Sequence, residues 1–114
     1  MPNFPLSPIK KAGELYFASG QIGIKDGQLA GDDIKTQLVQ TVANIISILE
    51  GEGLSLTDIL DVTAFLVNQE DYQGFNDSYR ELFQEPYPTR TTATVKSLPA
   101  NALVELKVIA CARS

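Results

Sequence analysis

The sequence predicts an α+β fold: a mixed β-sheet with two helices packed on one face. Three observations carry that prediction. Two stretches, about 33–51 and 70–84, repeat apolar residues at helical spacing. Strand-forming stretches lie before the first helix, between the two helices and after the second, the last of them β-branched. The order is then β-hairpin, helix, strand, helix, strand, strand. Strand–helix–strand segments in series favour one sheet with both helices on the same side.

Each element has a local cause. Residues 1–8 hold three of the six prolines and read as extended or loosely ordered chain. Ile9 to Lys11 is a short strand, and Lys11-Ala12-Gly13-Glu14 is a hairpin turn leading into the strand Leu15 to Ser19. Gly20 and Gly23 flank Gln21-Ile22, where glycine permits a bulge or a close backbone approach. Lys25-Asp26-Gly27-Gln28 carries the Asp-Gly turn signature. Asp32-Asp33 supplies an N-cap acid before Ile34. Ile34, Leu38, Thr41, Ile45 and Leu49, widened by Val42 and Ile46, form the buried stripe of the first helix. Gly51 or Gly53 takes the left-handed cap.

Ser55 to Asp58 connects to a strand from Ile59 to Asn68. Alternation puts Leu60, Val62, Ala64 and Leu66 beneath the helices and Asp61, Thr63, Phe65 and Val67 on the far face. Tyr72, Phe75, Tyr79, Leu82 and Phe83 make the apolar stripe of the second helix. Gly74 is its weak point, and Pro86 and Pro88 stop it. Two strands close the chain, about 90–97 and 102–111. In the last, Val104, Leu106, Val108 and Ala110 share one face; Leu103, Glu105, Lys107 and Ile109 share the other. The far face so assembled holds Phe65, Val67, Leu103 and Ile109 among charges, which points to a subunit interface.

Composition narrows the function. The 114 residues fit a single domain, 1–114, and 44% hydrophobic with 20% charged content describes a globular protein. No apolar run approaches the ~18 residues of a membrane span. The N-terminus lacks the basic region and unbroken apolar core of a signal peptide, so no membrane partner and a cytoplasmic location are expected. The net charge of −5 argues against a nucleic-acid partner, because phosphate binding needs clustered cations. There is no histidine, which removes Ser-His and Cys-His nucleophile pairs and most zinc sites, so no metal is expected. The single cysteine, Cys111, forms no intrachain disulfide and reads as a small packing residue.

Two charged residues stand out. Arg90 enters a strand behind the stiff Pro86-Tyr87-Pro88, where a guanidinium so held can take a carboxylate bidentately. Glu105 lies mid-strand between Val104 and Leu106, where an acid needs a partner, water or a task. Read on residue type alone, Arg90 could be a solvated charge and Glu105 a solvent-facing strand residue.

The chain resembles the RidA/YjgF family of reactive-intermediate deaminases, also labelled the L-PSP endoribonuclease family. The likeness runs from about residue 8 to 112. It rests on Ser19-Gly20-Gln21-Ile22, Asn44, Gly53-Leu54 with Asp58-Ile59, and Thr63. It continues with Asn76-x-x-Tyr79 and Phe83, then Pro88-x-Arg90, Leu98-Pro99 and Val104-Glu105. The resemblance implies a chorismate-mutase-like subunit of a trimeric barrel, with three clefts between subunits. It implies that Arg90 holds a substrate carboxylate and Glu105 positions a water. Gly20 and Thr92 would line the same cleft, Asn76 would lie nearby, and Ile9 stands where a tyrosine is common. Thr92 stands where a cysteine is common, and the loop between Tyr79 and Arg90 is shorter than in many members.

The implied activity is hydrolysis of enamines and imines derived from amino acids, such as 2-aminoacrylate, 2-iminopropanoate or 2-iminobutanoate, to 2-keto acids and ammonia. No metal or organic cofactor is expected, because the imine carbon is already electrophilic. One alternative is a non-catalytic trimer that holds a small carboxylate. Another is an endoribonuclease, which an acidic chain without histidine serves poorly.

Overall fold

The computed structural model describes residues 4–112. The first three residues of the proline-rich start lie outside the described residues. Seven strands and two helices follow in chain order: β1 Ile9–Ala12, β2 Leu15–Ala18, β3 Ile24–Lys25, β4 Gln28–Leu29, α1 Ile34–Glu50, β5 Ile59–Leu66, α2 Tyr72–Leu82, β6 Thr89–Thr94 and β7 Val104–Cys111. Five of them form one mixed sheet in the order β1-β2-β7-β5-β6. Only β5 and β6 run parallel, joined by the α2 crossover. β3 and β4 form a separate small hairpin. Its turn residues Asp26 and Gly27 have φ of 54° and 85°, the positive values a type I′ turn requires.

Both helices cover one face of the sheet. Leu38, Val42, Ile45 and Leu49 of α1 and Phe75 and Tyr79 of α2 are buried there. Beneath them lie Val62, Ala64 and Leu66 of β5 and Val104, Leu106 and Val108 of β7. Each buried Val, Leu, Ile or Phe among them stabilises the fold by roughly 1.5–3 kcal/mol relative to exposure. Asp33 caps α1, accepting a hydrogen bond from the Thr36 N–H at 3.0 Å. That bond lowers the pKa of its carboxyl. At the other end Gly51 stays helical at φ −61°, and Gly53 takes the left-handed conformation at φ 75°. The Leu54 N–H then donates to the Leu49 carbonyl at 2.9 Å, the wrapped end of a Schellman motif.

Several expectations give way to tertiary context. Leu60 is not beneath the helices; it is 51% exposed. A register shift between Ile59 and Asp61 turns Ile59 into the core in its place. Tyr72 is 41% exposed and lies off the buried stripe, because a short 3₁₀ turn over Gln69–Asp71 delays α2 and sets Tyr72 at its first position. Gly74 is a close-approach point: a Cβ there would sit 3.2 Å from Cγ2 of Ile34 on α1. β5 ends at Leu66 and β6 at Thr94, both a little short of the predicted boundaries.

The far face has no helix over it. Phe65, Val67, Leu103 and Ile109 are half-buried there, and Phe17 of β2 is 38% exposed beside Ile109. No helix among the described residues is long and apolar enough to cross a membrane.

Candidate active site

Arg90 stands opposite Val62 in the parallel pairing of β5 and β6, so it leaves the sheet on the helix-covered side. One of its terminal nitrogens, Nη2, donates to Oδ1 of Asn76 on α2 at 2.7 Å. Its guanidinium carbon lies 4.7 Å from the Tyr79 ring centroid and 5.0 Å from that of Phe75. Tyr79 is itself stacked on Phe83, with centroids 4.2 Å apart and planes at 14°. The cation therefore rests on an aromatic platform, an attraction worth ~0.5–2 kcal/mol depending on desolvation. Among the described residues no carboxylate lies within ion-pair distance of it. Burial pushes the Tyr79 phenol up to about 12, against the pull of the neighbouring Arg90 charge. The phenol thus stays protonated near neutral pH.

A cleft of about 330 Å³ opens beside this guanidinium, lined by Asn76, Tyr79, Arg80, Tyr87, Pro88 and Arg90. Another cavity of about 240 Å³ lies by Phe83 and Pro86, and Glu85 is its one charged lining residue. That sign is wrong for a carboxylate, so the Arg90 cleft is the better candidate.

Glu105 is arranged differently. It stands opposite Phe65 of β5, so it leaves the sheet on the bare face. Its carboxylate lies over the backbone of Gly20: a Cβ on that glycine would fall 2.6 Å from Oε2. Here glycine is required by close approach, to a side chain of the same chain. The Gly20 segment is firmly held. Gln21 and Leu106 exchange backbone hydrogen bonds at 2.8 and 3.0 Å. Nδ2 of Asn44 donates to the carbonyls of Ile22 and Ile24, both at 3.0 Å. Gln37, buried on α1, donates to the Gly31 carbonyl and accepts from the Leu103 N–H, each at 2.8 Å. Burial raises the Glu105 pKa above its usual value.

The sequence-derived residues thus fall into groups. Arg90 and Asn76 are in contact on the helix side. Gly20 and Glu105 are in contact on the bare side. Thr92 stands opposite Ala64 on the helix side, its Oγ1 buried without a hydrogen-bond partner, and it does not line the cleft. Ile9 lies on β1, at the sheet edge opposite to β6, half-buried against the core. One copy of the chain does not bring Arg90 and Glu105 together. Sequence reasoning places Phe75 and Tyr79 in the core alone and misses their second role under Arg90. Tyr79 stands four residues after Phe75 and three after Asn76, and that helical spacing is the available signal. Arg80, four residues after Asn76, carries the same signal, and Tyr87 carries none.

This fold, with an unpaired arginine at one sheet edge and a glycine-backed glutamate on β7, matches a known class. The family model described as Endoribonuclease L-PSP matches residues 2–112, and the chain belongs to that family, which includes the RidA-type deaminases. A RutC family protein of Pyrococcus horikoshii is 40% identical over 111 residues, covering 96% of this chain and 88% of that one. A 2-iminobutanoate/2-iminopropanoate deaminase of Dermatophagoides farinae is 33% identical over 110 residues, covering 95% and 86%. Among solved structures, E. coli TdcF with bound serine superposes with a TM-score of 0.91 at 29% identity, covering 98% of this chain and 91% of that one.

Proposed function

We propose that the protein hydrolyses 2-imino acids and their enamine tautomers, such as 2-iminopropanoate and 2-iminobutanoate, to 2-keto acids and ammonia in the cytoplasm. The observation that carries this reading is the unpaired Arg90 guanidinium. It is fixed by Asn76 and an aromatic platform, and it faces a cleft with no acid in its lining. Such a group is preorganised for a carboxylate. The relative named as a 2-iminobutanoate/2-iminopropanoate deaminase supports the same chemistry.

In this reading the working unit is a homotrimer, and each site takes Arg90 from one copy and Glu105 from a second. The opposite faces of the two residues favour that division, as does the half-apolar bare face. Arg90 grips the substrate carboxylate and orients the adjacent imine carbon. A water hydrogen-bonded to Glu105 attacks that carbon, and the glutamate accepts its proton. It returns that proton to the nitrogen, giving the carbinolamine. Glu105 next takes the carbinolamine hydroxyl proton and delivers it to the nitrogen; the carbon–nitrogen bond breaks, ammonia leaves and the keto acid forms. No redox partner is required.

The test is keto-acid release from freshly generated 2-iminobutanoate. Purified protein should accelerate it over buffer, and sedimentation equilibrium should give about three times the 12.4 kDa chain mass. No acceleration with any of several imines would sink the enzyme reading. Binding of 2-keto acids without turnover would leave a carboxylate-binding protein in its place.

A further inference from the structure

We propose that the Arg90 cleft prefers imino and keto acids carrying a second anionic group, and that Arg80 is the residue that reads it. The inference rests on Arg90 gripping the first carboxylate, as argued above. In a chain of net charge −5, this cleft is lined by two arginines and no acid. The remaining lining residues, Asn76, Tyr79, Tyr87 and Pro88, add no carboxylate and no further cation. Asn76 gives its Oδ1 to Arg90, which leaves its amide nitrogen as a further donor. The lining itself thus favours negative charge, against the nearby carboxylates of Asp77, which pairs with Arg80, and of Asp61, which acts on the Tyr79 phenol.

Spacing supports a second anchor point. Arg80 follows Asn76 by one turn of α2, so the two share a helix face with about 5–6 Å between their Cβ atoms. Asn76 marks where the Arg90 guanidinium is held, and Arg80 starts one turn further along the same wall. That offset is comparable to the separation of the two carboxylates in a four- or five-carbon diacid. The cleft, at about 330 Å³, is at the small end of the ~300–1,000 Å³ usual for small-ligand sites, a size that takes a five-carbon diacid.

Arg80 is also free to move onto a ligand. Its ion pair is a 3.4 Å contact from Nη1 to Oδ1 of Asp77, with side chains 67% and 59% exposed. The same Asp77 oxygen already accepts from Nε2 of Gln73 at 3.0 Å. Exposed pairs of this kind contribute little and exchange readily. The competing account is that Arg80 is an ordinary cation in the last turn of α2, favoured there by the helix dipole. That account predicts no difference between ligands.

Calorimetry with two keto acids of equal length separates the accounts. The wild-type protein should bind 2-oxoglutarate about tenfold more tightly than 2-oxopentanoate at low ionic strength, and the gap should narrow with added salt. Arg80→Gln should lower 2-oxoglutarate affinity about tenfold while shifting 2-oxopentanoate far less. Asp77→Asn, which releases Arg80, should widen the wild-type gap. Equal wild-type affinities, or a gap that survives Arg80→Gln, would overturn the role of Arg80 while leaving the Arg90 grip standing. If neither acid binds, the grip itself fails and this inference fails with it.

Discussion

The two halves of the candidate site are built on opposite terms. Arg90 is held by its own chain: a hydrogen bond to Asn76 and the rings of Phe75 and Tyr79 fix its position before any ligand arrives. Glu105 has no hydrogen-bond partner among the described residues. It rests on the Gly20 backbone and faces away from the helices. Burial raises the pKa of its carboxyl, whereas the cation is stabilised by its neighbours. A group that must recognise an anion profits when its position is already set. A group that must take and return a proton profits from a pKa moved toward neutrality and from freedom to bond water.

The largest effect should come from the fixed half. Arg90→Ala removes up to two charge-assisted hydrogen bonds to the substrate, each worth ~1.5–3 kcal/mol. Affinity for 2-oxobutanoate should fall by ~10² or more, and turnover should fall with it. Arg90→Lys should recover little, since an ammonium neither forms the planar fork nor spreads over the Tyr79 ring in the same way. Calorimetry on folded protein checks both variants. Normal binding by Arg90→Ala would remove the whole site assignment.

The Glu105 half should separate turnover from binding. Glu105→Gln keeps the shape but cannot accept a proton. Turnover should drop by ~10², the low end for general base catalysis because imines hydrolyse readily, while keto-acid binding stays close to wild type. The pH profile sharpens the comparison. Glu105 acts as a base only when ionised, and its pKa is raised by burial. The wild-type rate should therefore decline on the acid side, with a midpoint above the ~4.3 of an ordinary glutamate. In Glu105→Gln that acidic limb should be gone. A limb of unchanged midpoint in the variant would assign it to the substrate instead.

Much of this architecture is legible in the sequence because local chemistry and tertiary need agree. The Asp26-Gly27 hairpin, the Asp33 cap and the alternation of β7 each follow from a few neighbouring residues. Leu60 is not legible, because a register shift one residue away reverses its face and no sequence signal announces it. Gln37 is hidden within an apolar stripe; its buried amide is tolerated only because Gly31 and Leu103 satisfy it. The pair Arg90 and Glu105 can be picked out by residue type and setting. Alternation along the last strand already puts Glu105 on the far face, but the face of Arg90 is not legible, since it depends on the parallel register of β5 with β6. Sequence reveals which residues carry chemistry more readily than which side of a sheet they serve.

The smallest expected effect lies between the two halves, at Thr92. It follows Arg90 by two positions on the same strand face, yet its hydroxyl is buried with no partner and does not reach the cleft. An unpaired buried hydroxyl costs ~1–3 kcal/mol, and valine keeps the β-branched shape of threonine while removing that group. Both residues suit a strand. Thr92→Val should therefore stabilise the protein by about 1 kcal/mol, a rise in Tm of roughly 3–6 °C for a domain of this size. The comparison must be made at equal protein concentration, because assembly shifts Tm by mass action. Affinity for 2-oxobutanoate should stay within about twofold, since the atom removed does not line the cleft. A lower Tm would mean that the hydroxyl gains a partner in the assembled protein. A marked loss of affinity at unchanged Tm would mean that it turns toward the ligand and belongs with the Arg90 half of the site.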